Sequence, residues 1–197
     1  MSREAGLPSG LRRALLALIL LLAAAVRLPQ LGREAFWQDE LFSQAASAGY
    51  VGSVPPLNVL LQPPPRETSI LERRPVGDAI RGMIRRDAYP PLYHLLLRGW
   101  REIFGDGEGV ARGLSVVFSV LSILLLYDAV RSLHDAEAAL WAALFAALSG
   151  PHIFYAREAR AYALLILLTL AAAASAARLQ ARGPVRCATW RSARACF

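Results

Sequence analysis

Lysine is absent from this 197-residue chain: all 22 basic residues are Arg, against 15 acidic residues and three His. Such uniform usage most simply reflects a GC-rich genome, so the Arg content by itself carries no functional meaning. Charge is scarce as well, at 19% of residues, where soluble proteins average about 25%. The basic excess gives a pI near 10.2, but the Arg residues are spread between apolar segments. No basic stripe interleaved with aromatic residues exists, which argues against a nucleic-acid partner. Cysteine is nearly absent too. Cys187 and Cys196 both fall in the last eleven residues, with no CxxC and no His at ligand spacing. A disulfide framework and a zinc site are therefore unsupported, and neither a metal nor another cofactor is expected.

What is present is apolar: 55% of the residues are hydrophobic and the mean hydropathy is +0.37. The Leu and Ala are concentrated in four blocks, the pattern of a membrane protein rather than of one large soluble core. The first block, 14-ALLALILLLAAAV-26, holds thirteen uninterrupted apolar residues between Arg12–Arg13 and Arg27. That is short of the roughly 20 needed to span a bilayer. If the Arg27 side chain snorkels, the helix extends to Leu31 and spans residues 14–31. The rival reading is a cleaved secretory leader, since the run starts basic and ends Ala23-Ala24-Ala25; the later apolar blocks favour the anchor. Those blocks are placed at 112–131, 137–155 and 161–178, each long enough to cross with little tilt. The fold class expected is an all-α polytopic membrane protein with about four transmembrane helices.

Arg counts in short flanks set the orientation. Residues 1–13 carry Arg3, Arg12 and Arg13, and the 179–197 tail carries five Arg counted from Arg178 with no acid. Both ends belong on the cytoplasmic side of a plasma or inner membrane. Four spans allow this, and leave 32–111 and the short 156–160 turn outside. The stretch GPVRCATWRSARACF that closes the chain has no helical apolar pattern, and reads as a truncated or frameshifted end. The large external loop holds ten Arg and ten acidic residues from Arg27 to Ala111. It contains a Pro-rich extended piece at 54–67 and two amphipathic helices, over 76–88 and 89–105. In the second, Leu92, Leu95, Leu96, Gly99 and Ile103 share one face, and His94, Arg98, Arg101 and Glu102 the other. Such a helix suits the membrane surface; packing inside a soluble domain is the alternative.

Against this background 33-REAFWQDELFSQ-44 is anomalous, because carboxylates beside hydrocarbon are costly. Asp39 and Glu40, with Trp37 ahead of them, face the same compartment as 155-YAREARAY-162. There, spacing puts Tyr155, Glu158 and Tyr162 on one helical face with Arg157 and Arg160 beside them. A carboxylate can deprotonate an acceptor hydroxyl, and Arg can hold a phosphate through its planar fork of donors. Those parts suffice to move a sugar from a lipid phosphate onto a hydroxyl. The plainer readings are a carboxylate pair at a helix N-terminus and an interfacial ion-pair turn. His94, His134, His152 and Asp128 are read as interfacial residues without a catalytic role, Asp128 near Arg131.

Four stretches in order, 37-WQDE-40, 90-PPLYHLLLRGW-100, 108-EGVARGLSVVFSVLSILLLY-127 and 151-PHIFYAREARAYALL-165, resemble the N-terminal part of GT-C polyprenol-phosphate-dependent glycosyltransferases. That superfamily includes protein O-mannosyltransferases and the bacterial aminoarabinose transferase of lipid A, and the likeness covers about 11–178. The resemblance implies that Asp39 is the base, with Glu40 its usual neighbour, and that Glu158 is a second functional acid. It implies that Arg160 and Tyr162 line the donor phosphate site, with Tyr155 and Trp37 completing the substrate-binding set. The implied partners are a polyprenyl-phosphate-linked sugar donor and a lipid, glycan or protein acceptor. Many members carry His before the Pro-Pro pair, where this chain has Tyr89. Members usually run longer with more spans, which implies little activity for these 197 residues alone. The alternative function is a non-catalytic four-helix membrane protein, such as a scaffold or transporter fragment.

Overall fold

The computed structural model describes residues 7–33, 35–50, 73–86 and 91–181. The Pro-rich 54–67 piece, Tyr89, and the tail after residue 181 with its two cysteines lie outside them. Among the described residues the chain is entirely helical, with eight helices: α1 (Ser9–Arg27), α2 (Gln38–Ala48), α3 (Val76–Arg86), α4 (Pro91–Phe104), α5 (Glu108–Leu133), α6 (Ala136–Leu148), α7 (Gly150–Ala156) and α8 (Tyr162–Ala181).

Three helices, α1, α5 and α8, are long and apolar enough to cross a membrane, and the α6–α7 pair makes a fourth if its two halves count as one span. The protein is thus an all-α polytopic membrane protein. α5 is the central element. Its small residues allow close approach: Ser115, Ser119 and Ser122 are buried in it, and Ala159, Ala163, Ala174 and Ala177 approach it from the 157–181 segment. Membrane helices lack a hydrophobic drive to associate, so small residues that let backbones meet take over that task. On its other side, Ala139, Ala143 and Ala147 form a one-residue-per-turn stripe on α6. They pack with Ile19 and Ala23 of α1 and Ile123 and Tyr127 of α5. Outward, Leu18, Leu21, Trp141, Phe145, Leu165 and Leu168 are exposed, as suits side chains that meet lipid.

The third span is not the single helix expected over 137–155. It breaks at Ser149, and its halves meet at 60°. Pro151 sits in the first turn of α7, where a missing N–H is tolerated but cannot continue α6. The carbonyls at the end of α6 are thereby released from their ladder.

Three helices, α2, α3 and α4, sit at the end of the bundle where α1 finishes. α2 ends at Gly49, whose φ of +96° takes the left-handed conformation; Tyr50 N–H then donates back to Ala45 O at 2.8 Å, a common helix stop. A Cβ at Gly49 would come within 2.9 Å of Arg74 Cβ, so this glycine is required twice. α3 packs on α2 through Ala46, Ala79 and Met83. In α4 the division into faces is the one read from the sequence, but the polar face points inward. Tyr93, His94, Leu97 and Arg101 are buried, while Leu92, Leu96 and Ile103 are exposed. The outer surface of α4 is thereby its Leu face, and its His and Arg side chains lie inward. Arg101 accounts for the inversion: it donates to Ser47 Oγ at 2.7 Å and pairs with Asp106 at 2.8 Å, locking α4 to α2.

Replacing Ala143 by Leu should wedge α1 from α6 and cost about 1–3 kcal/mol, whereas Phe145→Leu on the outer face should be neutral. Thermal unfolding of both variants in nanodiscs tests this. Equal melting temperatures would show that the stripe is not a packing seam.

Candidate active site

The segment between α7 and α8 is a turn, so Tyr155, Glu158 and Tyr162 do not share the helical face that their spacing allowed. α7 stops at Ala156 and α8 starts at Tyr162. The turn nonetheless keeps Tyr155 and Tyr162 together, with ring centroids 5.0 Å apart. Its backbone N–H groups also become available to partners outside the helices, which an intact helix would not permit.

The main taker is Glu40. Its Oε1 accepts from Ala159 N–H at 2.8 Å, across 119 residues of sequence. The same carboxylate accepts the Arg112 fork, Nε on Oε1 at 2.9 Å and Nη2 on Oε2 at 2.6 Å. It also reaches back to Trp37 N–H at 3.4 Å, one half of a capping box for α2. Glu40 is 1% exposed and Arg112 6%. Arg112 in turn donates to Leu31 O at 2.7 Å and Ala35 O at 3.3 Å. Buried charge of this kind survives only with close pairing and its remaining valences filled, and both conditions hold. Gly32 and Gly109 pass so closely that a Cβ on Gly109 would sit 3.4 Å from Gly32 N, which brings the 28–36 segment within reach of Arg112.

Asp39, one residue earlier, points differently. Its Oδ2 accepts from Arg160 Nη1 at 2.6 Å, again across 121 residues of sequence, and both side chains remain partly exposed. The Arg160 guanidinium lies 4.8 Å from the centre of the Tyr162 ring and 5.8 Å from that of Trp37. This pair of cation–π contacts leaves the carboxylate held at the edge of an aromatic rim made by Trp37, Tyr155 and Tyr162.

Beside this rim opens a cleft of about 530 Å³, walled by Gln30, Leu31, Trp37, Phe154, Arg157 and Glu158, with the Glu40–Arg112 pair at its floor. Glu158 is only 8% exposed, and no hydrogen-bond donor among the described residues reaches its carboxylate. Burial pushes its pKa above the usual 4.5; Arg160 opposes the rise, and the nearby carboxylates of Glu40 and Asp39 support it. Arg157 commits one donor, to Pro29 O at 3.1 Å, and otherwise faces the cleft. Among the described residues no three His, Cys, Asp or Glu side chains gather to hold a metal ion.

All seven residues expected at the site, Trp37, Asp39, Glu40, Tyr155, Glu158, Arg160 and Tyr162, therefore meet at one end of the bundle. Two participants escape sequence reasoning. Arg112 lies in a stretch that resembles the superfamily, yet a single Arg at the start of an apolar helix looks like a flank. Arg157 reads as one of two equivalent Arg in the motif, and only the fold distinguishes it. His152 and Arg27 also take different partners from those expected: both turn into the bundle. Arg27 is fully buried and donates to His152 Nδ1 at 3.0 Å instead of snorkelling. Asp128 is paired mainly with Arg178, at 2.6 Å, with Arg131 at 3.9 Å.

A helical bundle with membrane-spanning helices whose end carries carboxylates and guanidinium groups over a cleft defines a class: an integral membrane protein with a charged cleft at one end of its bundle. The family described as dolichyl-phosphate-mannose-protein mannosyltransferase matches residues 88–186, and the chain belongs to it. It is thereby placed among the polyprenyl-phosphate-dependent glycosyltransferases. The match takes in α4 to α8 with Glu158 and Arg160, while Asp39 and Glu40 precede it. No curated protein and no solved structure matches the chain.

Two outcomes test this geometry. Glu40→Gln leaves Arg112 buried without its counter-charge and should destabilise the fold by about 3 kcal/mol or more; an unchanged melting temperature would contradict the buried pair. Glu158, with its pKa raised on folding, favours the folded state fully below pH 4.5. That contribution is lost as pH rises through the folded value, because the ionised form is the one burial penalises. Melting temperatures of wild type and Glu158→Gln should therefore diverge as pH rises above 4.5, with wild type losing ground. Parallel curves would show that Glu158 titrates normally.

Proposed function

We propose that this site transfers a sugar from a polyprenyl-phosphate donor to an acceptor hydroxyl on the external face of the membrane. One observation carries the reading. Two short motifs about 120 residues apart are joined by the Asp39–Arg160 and Glu40–Ala159 contacts, beside a cleft that holds an unpartnered carboxylate.

Asp39 removes the proton from the acceptor oxygen as that oxygen forms its bond to the anomeric carbon. The carbon–oxygen bond to the donor phosphate breaks on the opposite side, with inversion, and the electron pair leaves with the polyprenyl phosphate. Arg160, expected from the resemblance at the phosphate, already serves Asp39, Trp37 and Tyr162. We assign it to orienting the base and give the phosphate oxygens to Arg157, whose remaining donors face the cleft. Glu158 stands opposite and contacts the sugar or the acceptor hydroxyls. Trp37, Tyr155 and Tyr162 offer flat apolar faces to a sugar ring at the rim. Glu40, filled by its own partners, is a positioning residue here rather than a catalytic one. The Arg distribution favours cytoplasmic termini and an external site, in a plasma or inner membrane.

In membranes supplied with a polyprenyl-phosphate-linked mannose, Asp39→Asn and Glu158→Gln should each reduce release of polyprenyl phosphate by about a hundredfold or more at equal protein level. Wild-type release in both would favour a non-catalytic membrane protein instead. Orientation is tested separately. Single cysteines at Leu41 and Tyr155, in a chain with Cys187 and Cys196 replaced by Ser, should both react with an impermeant maleimide from outside intact cells. Reaction from opposite sides would break the site in two.

A further inference from the structure

Arg27 stands apart from the site just described, and among the described residues it has no carboxylate partner. All five of its N–H groups are nevertheless used. Nε donates to Ser119 Oγ at 2.9 Å, and Nη1 donates to Ala23 O and Ala147 O, both at 2.9 Å. Nη2 donates to Ala146 O at 3.3 Å and to His152 Nδ1 at 3.0 Å. Three of those acceptors are carbonyls at helix C-termini: Ala23 in the last turn of α1, and Ala146 and Ala147 at the end of α6. The negative ends of two helices thus converge on one cation, which is how a guanidinium is tolerated without an acid.

The remaining contacts fix the chemistry of His152. A nitrogen that accepts from a guanidinium carries no proton, so Nδ1 is bare and Nε2 bears the hydrogen. Ser119 Oγ shares that one lone pair in a three-centre contact at 3.0 Å, and Nε2 donates to Ser122 Oγ at 3.0 Å. Ser122 passes its own proton to Ser119 O at 2.7 Å. Every polar atom of the cluster has a role in a single tautomer.

The location gives this network its consequence. Ala146 and Ala147 precede the break at Ser149 and His152 follows it, so Arg27 grips both halves of the bent span. Beyond Arg27, α1 leads into Gln30 and Leu31; beyond His152, α7 carries Ile153, Phe154 and Arg157. Those are two facing walls of the cleft.

We propose that Arg27 is a positioning residue that sets the 60° bend of the third span and so the separation of the cleft walls, with His152 as its reading point on α7. An intramembrane ionisable group is costly enough to need such a task. The effect on the walls follows from structure alone; only its link to donor binding rests on the glycosyltransferase reading.

The test places nitroxide labels at Phe145→Cys and Phe154→Cys, on either side of the break, in a chain with Cys187 and Cys196 changed to Ser, in lipid nanodiscs. Arg27→Gln should shift the distance distribution beyond its wild-type width, towards longer distances. Arg27→Lys keeps the charge but gathers its donors on one atom, and should fall in between. His152→Leu keeps the cation on α6 and frees only α7; it should shift the distribution too, and it decides the matter if Arg27→Gln does not insert. A lower melting temperature with an unchanged distribution would overturn the proposal, reducing Arg27 to a stabilising residue. In the second arm, radiolabelled polyprenyl phosphate should bind Arg27→Gln about tenfold or more weakly than wild type. Failure of wild type to bind would sink the donor assignment, while the label distances would still decide the role of Arg27.

Discussion

The Glu40 carboxylate sits where three separate parts of the chain meet, and the rest of the site takes its position from that meeting. It closes the first turn of α2, receives both arms of the Arg112 fork from α5, and accepts a backbone proton from the turn before α8. None of these partners is near the others in sequence. A carboxylate in a dry environment needs several donors to offset its lost hydration, and those donors can be supplied together only if the three segments are held in register. The requirement therefore runs both ways: the fold satisfies the carboxylate, and the carboxylate specifies the fold. Asp39 benefits directly, because helix α2 then points it across the turn at Arg160.

Two buried guanidinium groups near this end of the bundle show two solutions to the same electrostatic problem. Arg112 is neutralised by a carboxylate and by two carbonyls in the 31–35 segment. Arg27 has no acid partner among the described residues and relies on the carbonyl ends of α1 and α6 with an imidazole and a hydroxyl. The first solution ties α2 to α5. The second works within the spans, where a broken helix supplies the acceptors it needs. Pro151 thereby acquires a purpose beyond ending a helix, since an unbroken α6 would consume the carbonyls that Arg27 takes.

Much of this architecture is legible from the residues. Long Leu/Ala blocks give the spans, and WQDE and YAREARAY give the site, because chemistry of that density beside hydrocarbon is rarely idle. What stays hidden has a common cause: sequence spacing records which residues share a helix face, and says nothing of what that face meets. For α4 the two faces are read correctly, yet their direction depends on Ser47 and Asp106, which are not helical neighbours. Arg27 looks like a snorkelling flank because its acceptors come from α5, α6 and α7. His152 looks idle for the same reason. The turn at 156–160 can be read from the sequence, but the pull of Glu40 on Ala159 N–H that shapes it is invisible in the spacing.

Adjacent residues of opposite duty are the final consequence. Asp39 and Glu40 are consecutive on a helix, so their side chains diverge by about 100° around its axis. One must face the core if the other faces the rim. A single acidic residue could not anchor the helix and remain open to a substrate, because anchoring consumes every lone pair while a base needs one free. The pair divides the two tasks, and the same division recurs across the cleft. There Arg160 is bound to Asp39 and the rim aromatics, and Arg157 keeps donors for a ligand. On this logic the identity of Glu40 matters as much as that of Asp39. Shortening Glu40 would draw Arg112 and the Ala159 turn out of line, and Asp39, the proposed base, would then lose its geometry without being touched.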